Sequence, residues 1–404
     1  MDRCCPLTGE HLAALPSPGI RIETITDPSA LPALWLDRVP PEHPLLRPEW
    51  MNAARSALPD DSLSCCTLAR DGDRLLSVAF FEAVPLHVGS LGTLEKSGWQ
   101  TRTILRMLAA THHGTPYVVV CGDIIRTDTP GAWFSPHTDQ HAGLFHSMAE
   151  AARIHLDVSV CMVICSARNL GPMADTLPDF GYHRIDKAEP PMKVELDPTW
   201  RTFEDYLAAM RPKYRQRARS ARKRSSGVTR RRLPTADVSD HVEAFDTLLA
   251  PVVERAPVAL SNPSGHTVAT LVEALGDQCR VHTYRYQDTL VAFAVSLHTP
   301  EAVEGLLVGF DPALNKTLKL YQNILYDFIE EALEAGIPST TLGRTALEIK
   351  SAVGATPTER PVYIRHPSFL MHSVLGWAAG ALPTPSWTPR SPFRTTTTIQ
   401  PLTS

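Results

Sequence analysis

The sequence predicts an α/β protein made of two tandem domains of one plan, each a mixed central sheet flanked by helices. Three observations carry this expectation. A chain of 404 residues is long enough to bury two separate cores. One series of elements (hairpin, strand, helix, strand, glycine-containing turn, strand) is written twice along it. Between the two copies lies a basic segment, 211–232, with eleven Lys or Arg and no acid. Hydrophobic residues make up 43 % and charged residues 20 %, a globular composition that excludes a disordered or fibrous chain.

Taken in order, residues 1–60 are proline-rich and read as a loop-rich lead-in with short helices near 31–36 and 49–58. Apolar runs at 65–69 and 75–83, joined by Asp71-Gly72-Asp73, form the first hairpin. Residues 117–121 (YVVVC) and 158–165 read as buried strands. Between them, 140–155 carries apolar residues at helical spacing, and 177–185 is a turn into an edge strand. The second copy has a hairpin at 280–286 and 289–298 and a strand at 304–310. A helix capped by Asn315–Thr317 runs to Ala335, with Gly336 closing it. A short strand follows at 340–343, then a turn and edge strand within 352–365. The boundaries expected are an N-terminal domain over 61–200, a helical connector over 201–235 that Pro212 divides, and a C-terminal domain over 236–367. An apolar helix and a disordered tail occupy 368–404.

No signature of a P-loop NTPase, dinucleotide oxidoreductase, zincin or α/β-hydrolase is present. The eight cysteines include adjacent pairs at 4–5 and 65–66 and no CxxC, which favours free buried thiols over disulfides or a zinc site. His137, His141 and His146, like His112–His113, read as surface histidines and not metal ligands. No signal-peptide pattern and no apolar run of transmembrane length occur, so the expected location is cytoplasmic, with membrane association on the cytoplasmic face left open.

The net charge of −4 conceals the basic segment: without its eleven bases, 28 remain against 43 acids. The run is either a solvated helix face or a surface that contacts an anion. Like charges at i,i+4 repel, which favours the anion. With Tyr214 as its one aromatic, stacking on bases is poorly supported.

The stretch from Tyr206 through KYRQRAR, then GFD, LYQNIL, LGR and EIKSAVGA, resembles the FemABX-like branch of the GNAT superfamily of N-acyltransferases. The resemblance covers about 200–365 well and 63–197 through element order alone. It implies two tandem GNAT-like domains, the C-terminal one holding the active cleft and the N-terminal one, lacking a comparable charged cluster, mainly structural. It implies an amide-forming acyltransferase, with Lys350 of EIK contributing to the active site and Arg344 of LGR beside it. Chemistry then suggests further roles. Lys350 would stabilise the oxyanion, Glu348 accept the amine proton, and Tyr321 protonate the leaving group. Arg344, Asn323, Asp311, Tyr214, Arg215 and Arg217 are candidates for binding substrate or donor. Each has a structural alternative: an Arg344–Glu348 ion pair, a core tyrosine, a surface lysine.

The glycine-rich pyrophosphate loop of acetyl-CoA-using relatives is replaced here by DPALNKTL. No tightly bound cofactor is expected. The donor would be acyl-CoA, an acyl carrier protein or, in the alternative of a peptidoglycan-bridge ligase, aminoacyl-tRNA. The acceptor would be a small or lipid amine, a sphingoid base giving a ceramide-type product among them. The charge-free run 369–382 reads either as a helix docked on the core or as a peripheral membrane contact. An inactive RNA- or membrane-binding adaptor is the non-enzymatic alternative.

Overall fold

The computed structural model describes residues 19–40, 43–85, 117–126, 129–138, 141–158, 160–166, 171–186, 189–254, 261–358, 361–381 and 387–394. The Cys4–Cys5 pair, His112–His113 and the tail from 395 lie outside the described residues. The chain folds into two compact units, neither of them continuous in sequence: 1–188, 253–275 and 359–385 make the first, and 189–252, 276–358 and 386–404 the second.

In the first unit, Asp71-Gly72-Asp73 turns β2 (Leu63–Asp71) into β3 (Arg74–Pro85), with Gly72 at φ +56°. Outside β2 lies β1 (Ile20–Ile25); inside β3 come β4 (Tyr117–Cys121), antiparallel, and then β6 (Val160–Ser166), parallel. The short β5 (Ala132–Phe134) pairs with β3 off this path, and β7 (His183–Ile185) lies at the far edge. Helices α1 (Ala33–Arg38) and α2 (Pro48–Ala54) bury Trp35, Trp50 and Met51. α3 (His141–Leu156) buries Leu144, Phe145, Met148 and Ala152 against the sheet.

The second unit repeats this plan. β8 (Met192–Glu195) lies beside β13 (Ser339–Thr341). α4 (Phe203–Ala209) and α5 (Pro212–Arg224) are separated at Arg211–Pro212, and β9 (Val228–Leu233) edges the sheet. After α6 (Val242–Val253), α7 (Gly265–Leu275) belongs to the first unit. β10 (Cys279–Tyr286) and β11 (Thr289–His298) form the hairpin, followed by β12 (Val303–Phe310). Then come α8 (Pro312–Leu318), α9 (Leu320–Ala335), α10 (Leu347–Ala352) and β14 (Thr356–Pro357). β15 (Val362–Arg365) and α11 (Phe369–Ala381) return to the first unit.

The twofold plan holds strand for strand, but its boundaries differ from those expected. The strand beside β6 in the first sheet is β15, and the strand beside β13 in the second is β8. Each unit is completed by a strand from the stretch assigned to the other domain, because four-residue strands such as MKVE carry too few residues to show a sheet preference. The connector is no separate piece: α4, α5 and β9 all belong to the second unit. Residues 387–394 pack against that unit through Trp387 and Phe393, so this part of the tail is ordered. Cys65, Cys66, Cys121 and Cys279 are buried free thiols. His141 stacks on Phe134 at 4.4 Å, and burial lowers His146 to about 4, so these two help pack the unit and are not surface histidines. The first unit also has a charged cluster of its own. Glu82, Asp123 and Arg126 are each at most 2 % exposed; Trp50 donates to Asp123, and the Arg126 guanidinium lies 4.8 Å from the Trp50 ring.

Candidate active site

The sheet of the second unit forks at one place. β12 and β13 run parallel through two pairs, Val303 with Thr340 and Glu304 with Thr341. Beyond them β12 stays on β11, whereas Leu342 donates to the Met192 carbonyl (2.8 Å) and Met192 donates to the Gly343 carbonyl (3.0 Å). Past Thr341 the two strands are no longer joined to each other. The chain leaving the fork is strained: Gly343, Thr345 and Ala346 have φ of +68°, +62° and +50°. For the threonine and alanine this costs about 1–3 kcal/mol each. Lys350 holds the turn. It is 2 % exposed, and its Nζ donates to the Arg344 carbonyl. The lysine named by the resemblance therefore positions the loop that carries Arg344, which is half-buried.

The exposed face of α10 borders a cavity of about 470 Å³ lined by Arg217 and Arg224 of α5, Lys319 and Gln322 at the start of α9, Glu348 of α10, and Arg390. Four cations face one carboxylate. Asp311 caps α8 at Pro312, and Lys319 breaks what reads as one helix into two by taking φ +55°. Lys319 makes no side-chain cap at the start of α9, where Asn315 Oδ1 takes the Tyr321 amide (3.0 Å), and the positive end of this sixteen-residue helix lies beside the cavity-lining Lys319 and Gln322. This arrangement attracts a phosphate-like anion.

Contacts to α9 fix how α5 presents its charges. Ala218 and Ala221 form its buried face. Asn323 Nδ2 donates to the Ala221 carbonyl (3.1 Å) and to Ser225 Oγ (2.7 Å). Arg222 pairs with Asp327 and with Glu330 (3.2 Å), its guanidinium 4.8 Å from the Phe203 ring. Arg230 pairs with Glu331, Arg219 with Glu204 and Arg232 with Asp277. The basic segment is thus divided: Arg219, Arg222, Arg230 and Arg232 pair with acids outside it, while Arg217 and Arg224 line the cavity.

The remaining candidates are placed as follows. Asp311 accepts from the amides of Ala313 and Leu314 and caps α8; Asn315 Oδ1 accepts from the Tyr321 amide (3.0 Å), so Asn315 caps the first turn of α9 as the sequence leads one to expect. Asn323 is a strut between α5 and α9. Tyr321 packs on Phe310, ring centroids 5.7 Å apart, and burial pushes its phenol up to about 12. Arg215 donates to the Ala208 carbonyl (3.3 Å), and the Arg217 guanidinium lies 5.7 Å from the Tyr214 ring. Glu348 is exposed and pairs with Arg390 (3.4 Å). Lys319, Gln322 and Arg390 are not among the residues the sequence singles out for the site, and Arg224 is singled out there as one base of the 211–232 run. For Arg390 a signal existed, in the aromatics that flank it in SWTPRSPF.

Residues 209–351 match the family model described as an acetyltransferase (GNAT) domain. The crystal structure of FemX is similar over 82 % of this chain and 94 % of its own, at 10 % identity and a TM-score of 0.50, a likeness of fold. A tandem GNAT protein from the clavulanic acid biosynthesis pathway aligns over 86 % of this chain and 100 % of its own, 13 % identical, with a TM-score of 0.46. The C-terminal domain of a putative lysylphosphatidylglycerol synthetase from Agrobacterium fabrum aligns over 76 % and 85 %, 14 % identical, with a TM-score of 0.42. No curated protein matches the sequence. The forked strands of the second unit thus lie within the segment, residues 209–351, that matches a GNAT acetyltransferase domain.

Proposed function

We propose that this chain moves an acyl group from an activated, phosphate-bearing donor, of the acyl-CoA or acyl carrier protein kind, to an amine. The observation that supports this reading is the cation-lined cavity at the start of α9, within the GNAT domain. A neutral amine would attack the thioester carbonyl; the C–N bond forms, the C–S bond breaks, and the amine's proton passes to the leaving thiolate. Tyr321, protonated at neutral pH, is the proposed relay for that proton: its phenol gives a proton to the thiolate and takes the amine's in return. Arg344, on the loop that Lys350 holds, is the proposed contact for the acceptor or the developing oxyanion. Arg217, Arg224 and Lys319 would bind the donor's phosphates.

The test is release of free thiol from an acyl-CoA on addition of an amine, followed with a thiol reagent. Reversing two charges (Arg217→Glu with Arg224→Glu) is expected to raise the donor KM by about a hundredfold or more, from two lost charge-assisted contacts. Wild-type rates in both Arg344→Ala and Lys350→Ala would overturn the site assignment. Activity found solely with aminoacyl-tRNA, and lost on ribonuclease treatment, would select the ligase alternative.

A lipid-borne amine is the acceptor class that one further observation favours. Helix α11 carries no formal charge with its histidine neutral, and it leaves Phe369 86 % and Trp377 57 % exposed. Exposed aromatics two turns apart suit the interfacial region of a lipid surface.

A further inference from the structure

Residues 387–394 lie outside the matched domain, yet they are fastened to the second unit at several points. The Arg211 amide donates to the Pro392 carbonyl at 2.7 Å, and Met210 and Phe393 form an antiparallel bridge. The Phe393 ring sits 5.3 Å from Trp200 and 5.7 Å from Tyr206, in the space a side chain on Gly354 would need. At the other end, the Arg390 amide donates to Ser351 Oγ (3.1 Å) and the Thr388 amide to Glu348 (3.3 Å). A proline-containing strap anchored at both ends holds its central side chain at small entropic cost. That side chain is Arg390, which lines the cationic cavity.

We infer that this strap completes the donor site, with Arg390 as a further phosphate ligand and Glu348 as the anion that occupies its guanidinium until the donor arrives. The inference rests on the donor reading of the cavity. Arg390 and Glu348 are 37 % and 54 % exposed and 3.4 Å apart, so their pairing is a weak surface one. A phosphate offers a guanidinium a bidentate, doubly charged partner and displaces a single carboxylate readily. Glu348 then acts on the donor's affinity and not as the base that deprotonates the amine.

Calorimetric titration with coenzyme A, and separately with inorganic pyrophosphate, tests this on the full chain. Arg390→Ala is expected to weaken coenzyme A binding by about ten- to a hundredfold, as for loss of a hydrogen bond to a charged group. Arg390→Lys should recover part of the loss and serves as the variant that keeps the strap charged and docked. Glu348→Gln should bind coenzyme A more tightly than wild type, and Arg219→Ala, whose partner is Glu204, should bind it unchanged. Wild-type affinity in Arg390→Ala overturns the inference and leaves the donor reading standing. Weakening in Glu348→Gln, or equal weakening in Arg219→Ala, also overturns it. If wild type binds neither probe, the donor reading itself fails.

Discussion

Asn323, Asp327 and Glu331 recur every four residues along α9, and all three are buried, at 5 %, 2 % and 3 % exposure. They share one helix face, and that face meets Arg222 and Arg230. Glu331 receives Ser296 Oγ (2.7 Å) and His298 Nε2 (3.2 Å), with His282 Nδ1 at 3.1 Å. Burial alone would raise the Glu331 carboxyl; the His298 hydrogen bond, the cationic neighbours and Ser296 outweigh it and hold the group at about 2. Burial lowers His282 to about 4 from its ordinary 6.5, outweighing the neighbouring Glu331, which favours the proton, while Arg230 opposes it. The unfolded chain therefore takes up a proton at His282 in a pH range where the folded chain does not. Stability must fall as pH drops from 6.5 towards 4, and fall again between 4.5 and 2 through Glu331. We expect His282→Asn to show a shallower stability loss than wild type over the first window, measured by urea denaturation at successive pH values; equal slopes would exclude His282 as the cause. Eleven bases in 22 residues are plain in the sequence, and so is the nearness of Lys350 to Arg344 along the chain. Their partners are not. Asp327 lies 105 residues from Arg222, and no periodicity within either segment shows that the two meet.

At the scale of elements, the second hairpin was legible almost to the residue, because Thr289–His298 and its partner are long and the Gln287-Asp288 turn between them is short. The helix after β12 was legible as a helix but not as two. Its apolar stripe runs through Leu318, Tyr321, Ile324, Leu325 and Phe328 without announcing a break. The break comes from Lys319 in the left-handed region, where a non-glycine residue costs about 1–2 kcal/mol. Replacing Lys319 with glycine should relieve part of that strain and raise stability by about 0.5–1 kcal/mol. The same change removes a cation from the cavity, so coenzyme A binding should weaken. Denaturation midpoints and titration of one variant check both; a destabilised glycine variant would show that the lysine conformation is not strained.

At the scale of the whole molecule, the exposed aromatics of α11 bear on the lipid-borne amine proposed as acceptor. No helix among the described residues is long and apolar enough to cross a membrane. Wild-type protein is expected to co-sediment with phosphatidylcholine vesicles, and Phe369→Ser with Trp377→Ser to remain in the supernatant with thiol release from a water-soluble amine unaffected. Equal sedimentation of both would remove the lipid reading. The doubled element order made two similar units legible at this scale, while the crossing of strands between them was not, since register between distant strands leaves no local mark.

That crossing has a consequence for how the chain is made. A ribosome delivers residues from the first onward, and the first sheet lacks its strand between β6 and β7 until 362–365 have emerged. Through the synthesis of nearly the whole second unit, β6 presents a row of unsatisfied backbone groups and β7 has no neighbour in the sheet. The second sheet meets no such delay, because β8 precedes every strand it later joins. The second sheet can therefore close before the first, against the order in which they are written, and the strap at 387–394 joins the second unit after both.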